Sequence, residues 1–227
     1  LTTVGDIAGW RSAFLLAGFA ASVSVVLVAL WLPADTPAGS DAPRWEGILD
    51  AYRPLLRDGG MRRLYGATLT RSLCWLGLLT YYGAMLEKQY DLGTGQIGLA
   101  YMLGGSGYFA GSLAAGGPLA RVPTRAMVSV GTVVMAVLMA APFTGAMPTA
   151  LAVALIPVAA FAGAVGWVGL TALLTTETPA GAGTTMVLNS ALFNLGAASG
   201  AGLGGLLLAT GGFTAVAFGL PLFGITA

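Results

Sequence analysis

Arg71 is the one formal charge inside six long apolar stretches of a 227-residue chain. A central arginine in a membrane span costs about 2.5–3.5 kcal/mol on insertion scales, so such residues face a water-filled path or an interior partner. Snorkelling to the cytoplasmic headgroups is the alternative. With a span beginning near Leu64, Arg71 sits about 10 Å into it. Trp75 and Tyr82 follow at +4 and +11 and fall near the same helical face. The three make a polar-aromatic stripe suited to amphipathic or aromatic ligands. An interfacial aromatic belt is the other reading for Tyr81 and Tyr82. Asn189 and Asn194 are amides in a later apolar stretch, where each must bond another helix or a substrate.

The chemistry these residues offer is recognition. Histidine is absent and Cys74 is the one cysteine. That removes Ser-His and Cys-His nucleophilic pairs, the HExxH zinc site, cysteine zinc cages and any intrachain disulfide. Paired intramembrane aspartates are also missing, because Asp6, Asp35, Asp41, Asp50, Asp58 and Asp91 all lie outside the apolar stretches. Gly104-Gly105-Ser106-Gly107-Tyr108 lacks the last glycine of a nucleophile elbow, and the chain has no base to serve it, so it reads as helix-packing glycine. We expect no enzyme, no metal and no cofactor. A net charge of +1 with no basic face leaves no nucleic-acid partner.

The elements that carry these residues are the apolar stretches 12–32, 64–86, 96–120, 126–147, 149–174 and 184–210. Each is long enough to cross a bilayer, which takes about 20 apolar residues. Backbone amides in hydrocarbon must be paired internally, so the stretches are expected to be helices. The chain is 56 % hydrophobic and 8 % charged with a mean hydropathy of +0.83, against about 25 % charged for a soluble domain. The fold class is therefore all-α and multi-pass, with the lipid bilayer as a partner. A seventh apolar stretch, 212–227, stops with the chain, and Leu1 is not Met. Both ends read as cuts.

Residues 33–63 hold Arg44, Arg53, Arg57, Arg62 and Arg63 with five acids, and 121–125 adds Arg121 and Arg125. Alternating spans put both loops on one side, against Arg11 and Lys88 on the other. The positive-inside rule makes that side cytoplasmic. Pro33, Pro37, Gly39, Ser40 and Pro43 open the loop as a linker. Trp45, Ile48, Leu49 and Tyr52 then recur at helical spacing. This predicts a short surface helix ended by Pro54 and a Gly59-Gly60 turn, at the boundary between two membrane units. Later, Gly196, Gly200 and Gly204 form one ridge for close helix approach. Gly163, Gly166 and Gly169 around Trp167 do the same or let the helix flex near Pro157. Glu177 is expected in a loop.

Four stretches together resemble the major facilitator superfamily, in particular its drug and sugar efflux branch. Gly9-Trp10-Arg11-Ser12-Ala13-Phe14 is similar to the entry of the family's sixth helix, and the charged loop 33–63 to its inter-half connection. Gly117-Pro118-Leu119-Ala120-Arg121-Val122-Pro123-Thr124-Arg125 resembles the signature loop between the eighth and ninth helices, with Ala120 where the family has an acid. Ala191-Leu192-Phe193-Asn194-Leu195-Gly196, with Gly200, Gly204 and Gly205, is similar to the eleventh helix of efflux permeases.

The resemblance implies a major facilitator-like bundle covering helices six to twelve. Residues 1–32 would end the N-terminal half, 33–63 would be the cytoplasmic connection, and 64–227 the C-terminal six-helix half with its last helix truncated. Helices seven and ten would line the central cavity, which supports Arg71, Trp75, Tyr82 and Trp167 as substrate-cavity residues beside Asn189 and Asn194. Gly117, Arg121 and Arg125 would form the gating loop. The implied function is proton-coupled efflux of small organic compounds by alternating access in a bacterial cytoplasmic (inner) membrane. The implied partners are a small-molecule substrate and the missing N-terminal half. A non-transporting scaffold that binds other helices through its glycine ridges, and an importer of sugars or metabolites, are the competing readings.

Overall fold

The computed structural model describes residues 10–31 and 45–225. Gly9 of the entry motif and the linker 33–44 lie outside them. Among the described residues the regular structure is helical, without strands. The elements are α1 (Trp10–Trp31), α2 (Trp45–Arg57), α3 (Gly59–Tyr90), α4 (Thr94–Gly116), α5 (Thr124–Ala140) with a 3-10 turn (Ala141–Thr144), α6 (Thr149–Thr176), α7 (Ala182–Gly219) and α8 (Pro221–Ile225). Three stretches, Thr124–Thr144, Thr149–Thr176 and Ala182–Ile225, are long and apolar enough to cross a membrane by length and composition. At 32 and 23 residues, α3 and α4 also reach bilayer length. Hydroxyls, tyrosines and glycines dilute their hydropathy.

Two expected boundaries move. Pro54 sits inside α2, which runs on to Arg57. Gly59 and Gly60 open α3 instead of forming a turn. The cause is Asp58, whose carboxylate accepts the Met61 N–H at 2.8 Å and caps the new helix. The membrane-side helix thus starts five residues before Leu64. The end of α2 is also more than a surface float. Leu55 is fully buried with Met61, Tyr65, Leu170, Leu173 and Leu174 at the arginine-rich end of the bundle.

α7 is two helices joined at a kink. Gly211 and Gly212 leave helical geometry, and Gly212 has φ 66°, a left-handed value that suits glycine. The segment beyond it returns to the bundle and buries Val216, Ala217, Leu220 and Gly224.

Packing pairs α3 with α7, and both α4 and α5 with α6. Small residues permit the contacts. A β-carbon at Gly196 would collide with the Ser72 side chain and the Leu69 carbonyl, and one at Gly200 with the Leu73 carbonyl. Gly107 and Gly111 of α4 meet the backbone of Pro157 and Phe161 of α6 in the same way. The main core lies where Leu78, Tyr82, Met85, Met135, Met139, Phe143, Ile156 and Leu220 converge.

Candidate substrate cavity

Because α3 begins at Gly59, Arg71 lies twelve residues in, about 18 Å along the helix. It is 4 % exposed, so it does not snorkel. One guanidinium nitrogen, Nη2, donates to the Gly163 carbonyl of α6. The guanidinium carbon stands 5.6 Å from the centre of the Trp167 ring, within cation–π range. Trp167 in turn packs at 5.2 Å on Phe193 of α7. Arg71 therefore joins α3 to α6, and Trp167 carries the contact on to α7. Its Nε has no hydrogen-bond partner. The ion pairs among the described residues are Arg53–Asp50 and Arg125–Glu177, neither of which involves Arg71.

One helical turn further along α3, Trp75 lines a cavity of about 250 Å³ with Leu79, Tyr101, Gly104, Gly105, Tyr108, Ile156 and Ala160. The walls come from α3, α4 and α6. Gly104 and Gly105 supply no side chains and so leave the space between Tyr101 and Tyr108. The Tyr101 hydroxyl bridges the Leu79 carbonyl and the Gly83 N–H, both at 3.1 Å, two groups one turn apart on α3. A side chain inserted into a helix ladder at this point is a recognised cause of local bending.

The predicted set divides. Arg71 and Trp167 are in contact, and Trp75 lies one turn from Arg71. Tyr82 does not line this cavity, although its ring packs edge-on to Tyr101 of the wall at 6.4 Å. It is fully buried, donates to the Ala152 carbonyl at 2.9 Å, and packs edge-on to Phe143. A buried hydroxyl needs a partner, and that carbonyl lies in the core. Asn189 is buried and accepts from the Thr68 hydroxyl at 2.7 Å. Asn194 lies outside the Arg71 cluster: it is exposed and donates to Ser190 of its own helix at 2.8 Å.

Of the gating-loop residues, Gly117 and Arg121 are exposed. Arg125, at the start of α5, pairs with Glu177 at the end of α6 at 3.1 Å. That pair sets the 121–125 loop and the 177–181 loop at one end of the bundle, with Arg63 in the same groove.

The sequence does not mark Tyr101 or Tyr108 as cavity residues, and it marks Gly163 as a packing or hinge glycine, not as the acceptor for Arg71. The tyrosines are seven residues apart, two turns on one face with glycines between, which is a usable signal. Gly163 contributes a backbone carbonyl, which no sequence pattern marks.

A family model described as Major Facilitator Superfamily matches residues 2–156. The chain belongs to the Major Facilitator Superfamily. No curated protein and no solved structure matches it. The match runs from before α1 into α6 and takes in Arg71, Trp75, Tyr101, Tyr108 and both signature-loop arginines. Membership in the Major Facilitator Superfamily makes this an integral membrane protein of the secondary-transporter type, in agreement with its helical, strand-free described structure.

Proposed function

We propose that the chain is the C-terminal half, with the sixth helix, of a twelve-helix transporter that exports small organic compounds in exchange for protons. The observation that carries this reading is the aromatic cavity walled by Trp75, Tyr101 and Tyr108, one turn from the one charge in the apolar spans. An apolar, aromatic-lined cleft with few polar groups is what a small organic ligand needs. α3, α4 and α6 then form the C-terminal wall of a central site, and the N-terminal half closes it from the opposite side. Rocking of the two halves exposes the site alternately. The arginine-rich end, with 33–63 and 121–125, faces the cytoplasm of a bacterial inner membrane.

The competing scaffold reading needs free glycine ridges. Gly196, Gly200 and Gly204 are instead covered by α3 of the same chain, which favours transport. The test is the complete transporter in proteoliposomes with an imposed proton gradient. A panel of aromatic compounds should include at least one whose addition collapses the gradient and whose movement stops when the gradient is dissipated. Movement indifferent to the gradient would remove proton coupling, and no movement of any compound would remove the efflux reading.

A further inference from the structure

Arg71 carries a positive charge into the bundle, and among the described residues no acid pairs with it. The nine acids all lie outside the apolar stretches, and neither recorded ion pair reaches Arg71. A buried unpaired charge is costly in a low-dielectric interior. Gly163 takes one donor and Trp167 covers the guanidinium face. Nε is left without a partner at a residue 4 % exposed. A structural arginine would have its donors satisfied; this one keeps an unused donor in its fork.

The position of that fork relative to the cavity is defined on two helices. Trp75 lies one turn from Arg71 on α3, and Ala160 one turn from Gly163 on α6; both line the cavity. Tyr108 lines it from α4. Arg71 therefore sits in the layer next to the cavity, which it does not itself line. A ligand seated between Trp75 and Tyr108 places one end toward an unneutralised cation. A cationic compound is repelled there, and a neutral one leaves the charge unmatched.

We propose that the compound carried is an aromatic carboxylate, with its ring system between Trp75, Tyr101 and Tyr108 and its carboxylate on Arg71. Carboxylate is the match because it is planar, accepts from two donors of a guanidinium at once, and supplies the missing charge. A space of about 250 Å³ is slightly below the range of roughly 300–1,000 Å³ for ligand pockets, which limits the body to one or two rings. This assignment rests on the cavity being a substrate site, as proposed above.

The experiment uses the complete transporter, purified in detergent, and three probes of one shape: 2-naphthoate, 2-naphthalenemethanol and 2-naphthylmethylamine. Binding is read as the concentration dependence of thermal unfolding. Naphthoate should bind about tenfold or more tightly than the alcohol, as expected for one charge-assisted hydrogen bond, with the amine weakest. Arg71→Gln should remove that preference while the alcohol still binds, and Arg71→Lys should retain part of it. Equal binding of the three, a preference for alcohol or amine, no binding of any, or an unchanged preference in Arg71→Gln would each overturn the assignment. The three-probe comparison is made on the unaltered protein, so it decides even where the glutamine variant does not fold. Anion-selective binding without gradient-driven flux would sink the efflux reading alone. Gradient-driven flux without anion preference would sink this assignment alone.

Discussion

The guanidinium carbon of Arg71 stands 5.6 Å from the ring centre of Trp167, across the crossing of α3 and α6. That contact fixes where the one charge of the apolar spans can point. It leads to a direct test in the complete transporter. Arg71→Ala should abolish or redirect transport yet leave membrane insertion intact, because removing a buried charge eases insertion. Arg71→Lys should restore activity only in part, since lysine keeps the charge but loses the planar fork. Flux at matched expression decides, and near-normal activity of the alanine variant would falsify a role for Arg71 in the cavity.

The α3–α7 contact predicts opposite signs for two glycines two residues apart. A β-carbon at Gly200 runs into the Leu73 carbonyl, whereas one at Gly202 meets nothing within 4 Å. Gly200→Ala should destabilise by about 1–3 kcal/mol, as overpacking does. Gly202→Ala should be neutral or slightly stabilising, because alanine loses less backbone freedom in a helix. Thermal unfolding in detergent measures both, and similar shifts for the two would contradict the packing of α7 on α3.

Thr68 and Asn189 should respond asymmetrically. The Thr68 hydroxyl bonds Asn189 Oδ1 at 2.7 Å and also lies 3.2 Å from the Leu64 carbonyl. Thr68→Val strands a buried acceptor, at a cost of about 1–3 kcal/mol. Asn189→Leu leaves the hydroxyl its fallback and should cost less. The double variant should lose less than the sum. A strictly additive thermodynamic cycle would mean that the two side chains do not interact.

The Arg125–Glu177 pair is exposed, at 79 % and 37 % of the two side chains. Glu177→Gln should therefore lower stability by less than about 1 kcal/mol, and the difference should fade as salt is raised. A loss that is large and insensitive to salt would show that the pair is shielded from solvent in the membrane-bound protein.

Sidedness has its own test. A cysteine at Ser40, in the complete protein freed of Cys74, should resist an impermeant thiol reagent added outside intact cells. Ready labelling from outside would reverse the orientation proposed from the arginine and lysine count.

The spans were legible from the sequence because membrane insertion is an averaged property. Residues 126–147, 149–174 and 184–210 needed no knowledge of their neighbours to be read as helices, and the structure has α5, α6 and α7 there. The helix boundary at Asp58 was legible in principle, as an N-cap residue before two glycines, but the glycines drew the reading toward a turn. A capping bond at Met61 outweighed their flexibility.

By itself, the sequence determined that this is an all-helical membrane protein with a single charge in its apolar stretches, since composition and spacing act locally along the chain. Only the tertiary structure decided where that charge goes. Spacing placed Tyr82 and Trp75 near one face, yet packing sent Tyr82 to the Ala152 carbonyl in the core and left Trp75 on the cavity with Tyr101 and Tyr108. The partner of Arg71 is a backbone carbonyl on another helix, at Gly163. A carbonyl is present at every residue, so its selection depends on which helices cross, and helix crossing is set by the whole packed bundle.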